Sequence, residues 1–229
     1  MKLSTKLLIG LLGTMLVMML ISAFSIKSEF EKINQKDPYW NFQTLSEKPF
    51  KHLKVIGQKD ATGKVNILEN KNFAVNVAKN RASEVKISFS NDTLIVSFFK
   101  NALKETATIY DSYENFVTIL CPEINSVKGE TTFIRLDSLN QNQLTIEANK
   151  ITTVDINRTQ IPNLNIRLDK NSECEFRYDR SYNLENLEAN VAVGAILKMR
   201  YVYPKKFILN TTEKSVVEMN GTALNLLRK

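Results

Sequence analysis

A ten-residue period of apolar residues is the feature of this sequence that most constrains its fold. From Ile124 onward an apolar residue recurs every ten residues, and in all but one case another apolar residue follows it two positions later. Three residues inserted after Cys174 shift the period once. Nineteen of the twenty positions are hydrophobic, whereas a composition of 43% hydrophobic residues would place only about nine there by chance. The period is therefore typical of a repeat architecture. The positions are Ile124, Ile134, Leu144, Val154, Leu164, Cys174, Leu187, Leu197, Phe207 and Val217, with partners Ser126, Leu136, Ile146, Ile156, Ile166, Phe176, Ala189, Met199, Leu209 and Met219.

This spacing predicts an all-β domain made of short strands. Side chains at positions i and i+2 of a strand lie on the same face, so each pair is expected to point into a core. Two strands with their turns make a coil of about twenty residues, and the predicted fold is a parallel β-helix-like β-solenoid of stacked coils. An antiparallel β-sandwich is the alternative, since it also has strands every 8–12 residues. Before residue 100, the turns at residues 69–72 and 90–92 predict antiparallel hairpins.

The N-terminus contains an apolar segment, residues 7–26, with no charged residue and with Lys2 and Lys6 before it. An apolar helix of roughly 20 residues crosses the hydrocarbon core of a bilayer, so the sequence predicts an uncleaved signal anchor. A signal peptide cleaved after residue 25, with secretion of the rest, is the alternative. The basic residues before the segment favour a cytoplasmic N-terminus, so the remaining chain is expected to be exported to the periplasm or beyond.

These features predict three parts of the chain. Residues 1–26 form the transmembrane segment, residues 27–49 a juxtamembrane linker, and residues 50–229 the exported β domain. The linker contains Pro38 and Pro49, which discourage a long helix there.

Composition and charge exclude several classes of site. The net charge is +5 once residues 1–26 are left aside, which is too mild and too scattered to predict a nucleic-acid partner. One His and two Cys cannot build a usual zinc site, and seven glycines leave little room for a phosphate-binding loop, so neither metal nor cofactor is expected. Cys121 and Cys174 are expected to be buried thiols too many coils apart to form a disulfide.

The sequence offers no convincing catalytic residue. His52 lies beside Phe50, which alternation places inward, and no nucleophile motif accompanies the histidine. Glu173 and Glu175 flank Cys174 and are expected to point outward as part of a solvated face, although two carboxylates on stacked coils can reach the separation that glycosidases use. The protein is therefore not expected to be an enzyme.

Two tyrosine-containing segments are candidate binding surfaces. Loops that interrupt a repeat often carry binding residues, so Tyr178, Arg180 and Tyr182, which lie at the three-residue insertion, are the candidate binding residues. Tyr201 and Tyr203 share a face two residues apart, and we interpret both as core residues because Tyr201 continues the alternation of the preceding strand.

Four short segments have a recognisable strand pattern: Phe50-Lys51-His52-Leu53-Lys54-Val55-Ile56-Gly57, Val65-Asn66-Ile67, Phe73-Ala74-Val75-Asn76-Val77 and Asn91-Asp92-Thr93-Leu94-Ile95-Val96. They resemble the opening of the auto-transporter adhesin head (GIN) domain family of Bacteroidetes envelope proteins, which begins with a Phe-x-x-hydrophobic-x-Val-x-Gly strand. Members of that family follow a signal or anchor segment and are similar to β-solenoids, so the resemblance implies an exported, adhesin-like β domain without known catalytic residues.

We therefore expect a non-catalytic, membrane-anchored envelope protein that presents a binding or scaffolding surface. Its expected partners are an envelope protein or polysaccharide, with the membrane contacted through residues 7–26 and no nucleic acid bound. Two alternatives stay open: a hydrolase or lyase acting on cell-wall or capsular polysaccharide, and a structural partner in an envelope assembly. A row of tyrosines would favour binding, convergent carboxylates would favour an enzyme, and an exposed apolar patch would favour assembly.

Overall fold

The computed structural model describes residues 3–31, 39–58, 63–99, 117–177, 182–200 and 202–219. The chain divides into two compact units, Met1–Asn41 and Phe42–Lys229. The described residues are mostly β, arranged in two mixed sheets, with one apolar helix near the N-terminus.

Most of the described residues of the first unit form one long helix, α1 (Leu3–Glu31). It includes the whole apolar segment predicted from the sequence, and its apolar side chains are exposed along its length. A helix rises 1.5 Å per residue, so an apolar segment of roughly 20 residues spans about 30 Å, the thickness of a bilayer's hydrocarbon core. By length and composition, α1 can therefore cross a membrane or serve as a signal sequence.

The described residues of the second unit form seventeen strands and one short 3₁₀ helix, Lys79–Glu84. The segment predicted as a linker holds the end of α1 and the first strand. The strands are β1 (Phe42–Ser46), β2 (His52–Ile56), β3 (Lys64–Glu69), β4 (Ala74–Ala78), β5 (Val85–Ser90), β6 (Thr93–Phe98), β7 (Val117–Cys121), β8 (Ser126–Glu130), β9 (Phe133–Asp137), β10 (Gln143–Asn149), β11 (Thr153–Asn157), β12 (Asn163–Leu168), β13 (Glu173–Phe176), β14 (Asn186–Val191), β15 (Ile196–Met199), β16 (Lys206–Thr211) and β17 (Val216–Met219).

The strands form two sheets that enclose one hydrophobic core. The first sheet has the order β1-β4-β7-β3-β9-β11-β13-β15-β17, and the second has the order β16-β14-β12-β10-β8-β2-β6-β5. From β8 onward the chain alternates between the sheets, so each strand pairs with the strand two positions later. Two sheets around one core also fit the sandwich-like alternative.

The parallel pairing predicted from the period is confirmed in the second half of the chain. Ile146 lies opposite Ile166 in the second sheet, and Val154 lies opposite Cys174 in the first, all in parallel register. The three inserted residues lengthen the chain between one strand and its parallel partner, so Cys174 pairs with Leu197. Because the register repeats, the same positions of successive strands point inward and build a continuous apolar core.

One predicted position is wrong, at the start of the periodic region. Ser126 was expected opposite Ile146, but Val127 occupies that place and is fully buried. The strand is shifted by one residue, and since neighbouring side chains point to opposite faces, Ser126 faces outward instead. The shift places a valine in the core where the unshifted register would bury a hydroxyl.

The strands before residue 100 extend the same stack. Strand β2 lies between β6 and β8, and β3 lies between β7 and β9, all in parallel register. The hairpin predicted at residues 90–92 is confirmed, since β5 and β6 are antiparallel and Asn91 has a φ of 51° in the turn. The hairpin predicted at residues 69–72 is wrong, because β3 and β4 each pair with β7, which lies between them.

Both cysteines are buried free thiols, as predicted. Burial raises the pKa of Cys121 to about 12 and also raises the pKa of Cys174. Because the thiolate is the reactive form, we expect neither thiol of the folded full-length chain to react with 5,5′-dithiobis(2-nitrobenzoate), and both to react after unfolding in guanidinium chloride. Rapid labelling of the folded chain would contradict the burial of these side chains.

Candidate binding surface

The predicted tyrosine site is only partly described. Tyr178 and Arg180 lie outside the described residues. The Tyr182 hydroxyl lies 2.8 Å from the carbonyl oxygen of Ile156 and 2.7 Å from that of Arg177. Its ring packs edge-on against Phe176, with 5.5 Å between the ring centroids. These contacts fix Tyr182 to the β domain, and its role in binding stays a prediction.

The second tyrosine pair differs from the prediction. Tyr203 was interpreted as a core residue but is 47% exposed. Val202 is buried in its place, because the residues between β15 and β16 do not continue the alternation of β15. Tyr201 lies outside the described residues.

Carboxylates on the outer face of the first sheet are paired with basic side chains. Glu173 accepts a hydrogen bond from Lys198, which raises the pKa of that lysine. The Arg177 guanidinium lies 2.8 Å from Asp155 and 3.3 Å from Glu175. The hydrogen bond to Asp155 raises the pKa of Arg177. Glu173 thus pairs with Lys198 of the neighbouring strand β15, and Glu175 pairs with Arg177, which directly follows its own strand. The described residues include no group of acidic, His and Cys side chains arranged to hold a metal ion.

His52 also lies on an outer face. The expectation that it shares the inward side with Phe50 is wrong, because the strand places Leu53 and Val55 in the core. Its Nδ1 lies 2.7 Å from the Oγ of Ser126 on the adjacent strand. Among the described residues, no carboxylate is hydrogen-bonded to His52 or Ser126, so this pair is not part of a Ser-His-carboxylate triad there.

The outer face of the second sheet carries a concentration of amide side chains. On β10, β12, β14 and β16, and on the ends of these strands, the inward positions are apolar and the alternate positions face outward. Parallel register places the outward residues of neighbouring strands side by side, about 4.8 Å apart. We call this surface the amide face and define it by seven residues: Gln143, Asn149, Asn163, Asn165, Asn186, Asn190 and Asn210.

The amide face contains two open hollows at opposite ends of these four strands. The first has a volume of about 360 Å³ and the second about 290 Å³. The polar residues of the first hollow are Glu147, Asn149, Arg167, Asp169, Asn190, Asn210, Thr211 and Thr212. Those of the second are Gln143, Asn163, Asn165, Asn186, Glu188 and Lys206.

Hydrogen bonds between amides fix their orientation. Asn186 donates from Nδ2 to the Oδ1 of Asn163 over 2.7 Å, and Asn210 donates to Asn190 over 3.0 Å. Asn163 in turn donates to the carbonyl oxygen of Asn142. Each amide has two donors and an oxygen with two lone pairs, so these bonds use only part of its capacity. Asn163, Asn186 and Asn210 are exposed, so their remaining donors and acceptors are accessible to a ligand, whereas the Oδ1 of Asn165 is buried.

The charged residues around the amide face largely neutralise one another. Glu147 lies 3.1 Å from Lys128 and 3.8 Å from Arg167. Arg167 has a side chain that is 61% exposed, so its guanidinium borders the first hollow without being buried. Solvent-exposed ion pairs of this kind contribute little to stability, and their role here is to keep the net charge of the surface close to zero.

Glu130, next to the amide face, gives a pH-dependent prediction. It accepts hydrogen bonds from Lys54 and Lys150, which hold its pKa below the ordinary value of 4.5. A carboxyl with a lowered folded pKa stabilises the fold above its unfolded pKa and loses that contribution as pH falls through the folded pKa. In urea titrations we therefore expect the unfolding free energy of the wild type to exceed that of Glu130→Gln by a constant amount above about pH 6, and the excess to shrink as the pH falls below the ordinary pKa of the carboxyl. An excess that stays constant as the pH falls would contradict this assignment.

The amide face was not predicted from the sequence. A signal was present, because asparagine and glutamine occupy positions between the apolar residues of the period, at Gln143 and Asn163 and again at Asn190 and Asn210. Outward residues twenty apart become neighbours only once the parallel register is known. The tyrosines were predicted as binding residues instead, because aromatic side chains are enriched in binding surfaces.

Comparisons with known proteins give distant similarities in structure. No protein-family model and no curated protein matches the chain. A provisionally named adhesin from Bacteroides fragilis NCTC 9343 is 12% identical, with a TM-score of 0.43, over 78% of this chain and 96% of the other. A provisionally named lipid-binding protein from Parabacteroides distasonis ATCC 8503 is 8% identical, with a TM-score of 0.36, over 79% and 94%. A provisionally named cell adhesion protein from Clostridium sporogenes ATCC 15579 is 12% identical, with a TM-score of 0.28, over 78% and 96%.

Proposed function

We propose that this chain is a membrane-anchored, non-catalytic envelope protein whose β domain binds an envelope polymer or protein. The amide face is the observation that carries the proposal. It is a broad, open polar surface with two hollows on the same four strands, and an extended partner can lie across both. Several weak contacts along one rigid surface add up to a useful affinity.

In this proposal the β domain is an adhesin-like β-solenoid of the GIN type, with coils of about twenty residues. The parallel registers of β8 to β17 and the alternation between two sheets support it. The helix α1 lies in the membrane with its N-terminus in the cytoplasm, and the β domain is exported. The length and apolar composition of α1 support this arrangement.

The test is binding of the full-length chain, in lipid nanodiscs, to envelopes isolated from the organism that makes it. We expect saturable co-sedimentation of the wild type and a clear loss for Asn190→Val/Asn210→Val, which removes two amides of the first hollow. Thr153→Val, an outward substitution on the first sheet, is the matched control and should bind like the wild type. Equal binding by all three proteins would contradict the proposal, and so would release of reducing sugar ends from the envelopes, since it would indicate a hydrolase.

A second candidate function is that of a structural partner in an envelope assembly. The observation that favours it lies on β16 and β17, the last described strands of the two sheets, where Ile208 and Val216 are each 44% exposed. Apolar side chains on terminal strands are typical of assembly surfaces. In the same assay, loss of envelope binding by Val216→Glu together with retained binding by the amide-face variant would favour this function.

A further inference from the structure

We infer that the amide face binds a neutral polysaccharide, held by hydrogen bonds to the sugar hydroxyls. This inference rests on the proposed function and adds the chemical class of the ligand. Three properties of the surface carry it: the mixture of donors and acceptors, the balance of charge, and the preset orientation of the amides.

The first property is the kind of hydrogen bond that the surface offers. A sugar hydroxyl both donates and accepts, and an amide side chain does the same with its NH₂ group and its oxygen. In the first hollow, Asn149, Asn190 and Asn210 supply such groups beside the carboxylate of Glu147 and the guanidinium of Arg167. A carboxylate accepts from one hydroxyl while a guanidinium or an amide donates to the next. The hollow therefore matches a ligand with neighbouring hydroxyl groups.

The second property is charge, which favours a neutral ligand over an anionic one. The polar lining of the two hollows contains three carboxylates, Glu147, Asp169 and Glu188, and two basic groups, Arg167 and Lys206. Of the two basic groups, Arg167 already faces Glu147 at 3.8 Å. Lys128 also lies 3.1 Å from Glu147, so the charges at this surface balance, and a polymer carrying uronic acid, sulfate or phosphate groups would gain no net electrostatic attraction from it.

The third property is the fixed orientation of the amides. The bonds from Asn186 to Asn163 and from Asn210 to Asn190 hold these side chains in place before any ligand arrives. Binding then costs less side-chain entropy than it would on a surface of freely rotating groups. Ile208 adds an exposed apolar contact in the second hollow, suited to the C–H face of a sugar ring.

The experiment measures binding of the full-length chain in nanodiscs to two glycan sets, one neutral and one bearing uronic acid, sulfate or phosphate groups. Nanodiscs are used because glycosidic detergents would themselves present neutral sugars. We expect binding to members of the neutral set, with an affinity that changes little between low and high salt, because no net charge is involved. Asn190→Val/Asn210→Val should weaken that binding by at least about tenfold, through the loss of two or more hydrogen bonds, and Thr153→Val should not.

The thermal unfolding midpoints of both variants are recorded alongside, and valine is well suited to an outward strand position, so the fold is expected to survive. Binding confined to the anionic set, a steep loss of affinity with salt, or full affinity in the amide-face variant would each overturn the inference. If envelopes bind the chain through the amide face but no neutral glycan does, the glycan inference fails and the proposed function stands. If envelopes do not bind the chain at all, the proposed function itself fails.

Discussion

Replacement of Ile166 by alanine is expected to lower the free energy of unfolding of the β domain by about 2–5 kcal/mol. Ile166 is fully buried on β12, in parallel register between Ile146 of β10 and Ala189 of β14. Its side chain is enclosed by strands on both sides and by the opposite sheet, so neighbouring residues can fill the space only in part. The cost combines the lost burial of the removed carbons with the cavity that they leave.

Urea unfolding of the full-length chain, followed by circular dichroism, measures this effect. The conservative variant Ile166→Val should cost only about 0.5–1.5 kcal/mol, because it removes a single methyl group. Arg167→Ala, on the outward neighbour, should change stability by no more than about 0.5 kcal/mol. A similar small effect for all three substitutions would mean that Ile166 does not lie in a packed core.

Replacement of Gly129 by valine is the second change with a large expected effect. Gly129 occupies an inward position of β8, between Val55 of β2 and Ala148 of β10. A Cβ added there would lie 2.6 Å from the Cγ2 of Thr152 and 2.9 Å from the Cδ1 of Ile134. Both distances are too short for carbon atoms, so the neighbours must move. Overpacking of this kind typically costs about 1–3 kcal/mol.

The same urea titration measures the effect of Gly129→Val. Lys128→Val is the matched control, since it adds the same side chain to the neighbouring outward position and loses only an exposed ion pair. Valine favours strands more than glycine does, so any loss of stability in Gly129→Val must come from overpacking. Unchanged or increased stability would show that the inward space is larger than these distances imply.

Much of this fold could be predicted from the sequence, because the apolar period repeats what the parallel register requires. The period predicts that Ile146 and Ile166 lie opposite each other, and it locates the insertion after Cys174. It failed at Ser126, where a shift of one residue exchanges the two faces. The place of β2 and β3 between later strands could not be predicted, because no local pattern specifies pairing between distant parts of the chain.

The candidate site was harder to predict than the fold. Tyr182 was selected because it lies in a loop that breaks the period, yet its hydroxyl lies against main-chain carbonyls and its ring against Phe176. The amide face consists of residues that are individually ordinary for a solvated strand. Only their alignment across four strands, including the bonds from Asn186 to Asn163 and from Asn210 to Asn190, distinguishes them.

The amide face exists only if four successive parallel strands bring distant amides together, and a spin-label distance tests this stacking most directly. Gln143 and Lys206 are far apart in the sequence but lie in one row across β10, β12, β14 and β16. Three strand spacings place their backbones roughly 14 Å apart. With nitroxides on Gln143→Cys/Lys206→Cys in the full-length chain, and the native cysteines protected by burial, we expect strong dipolar broadening of the spectrum. A spectrum equal to the sum of the two singly labelled variants would contradict the stacking and, with it, the amide face.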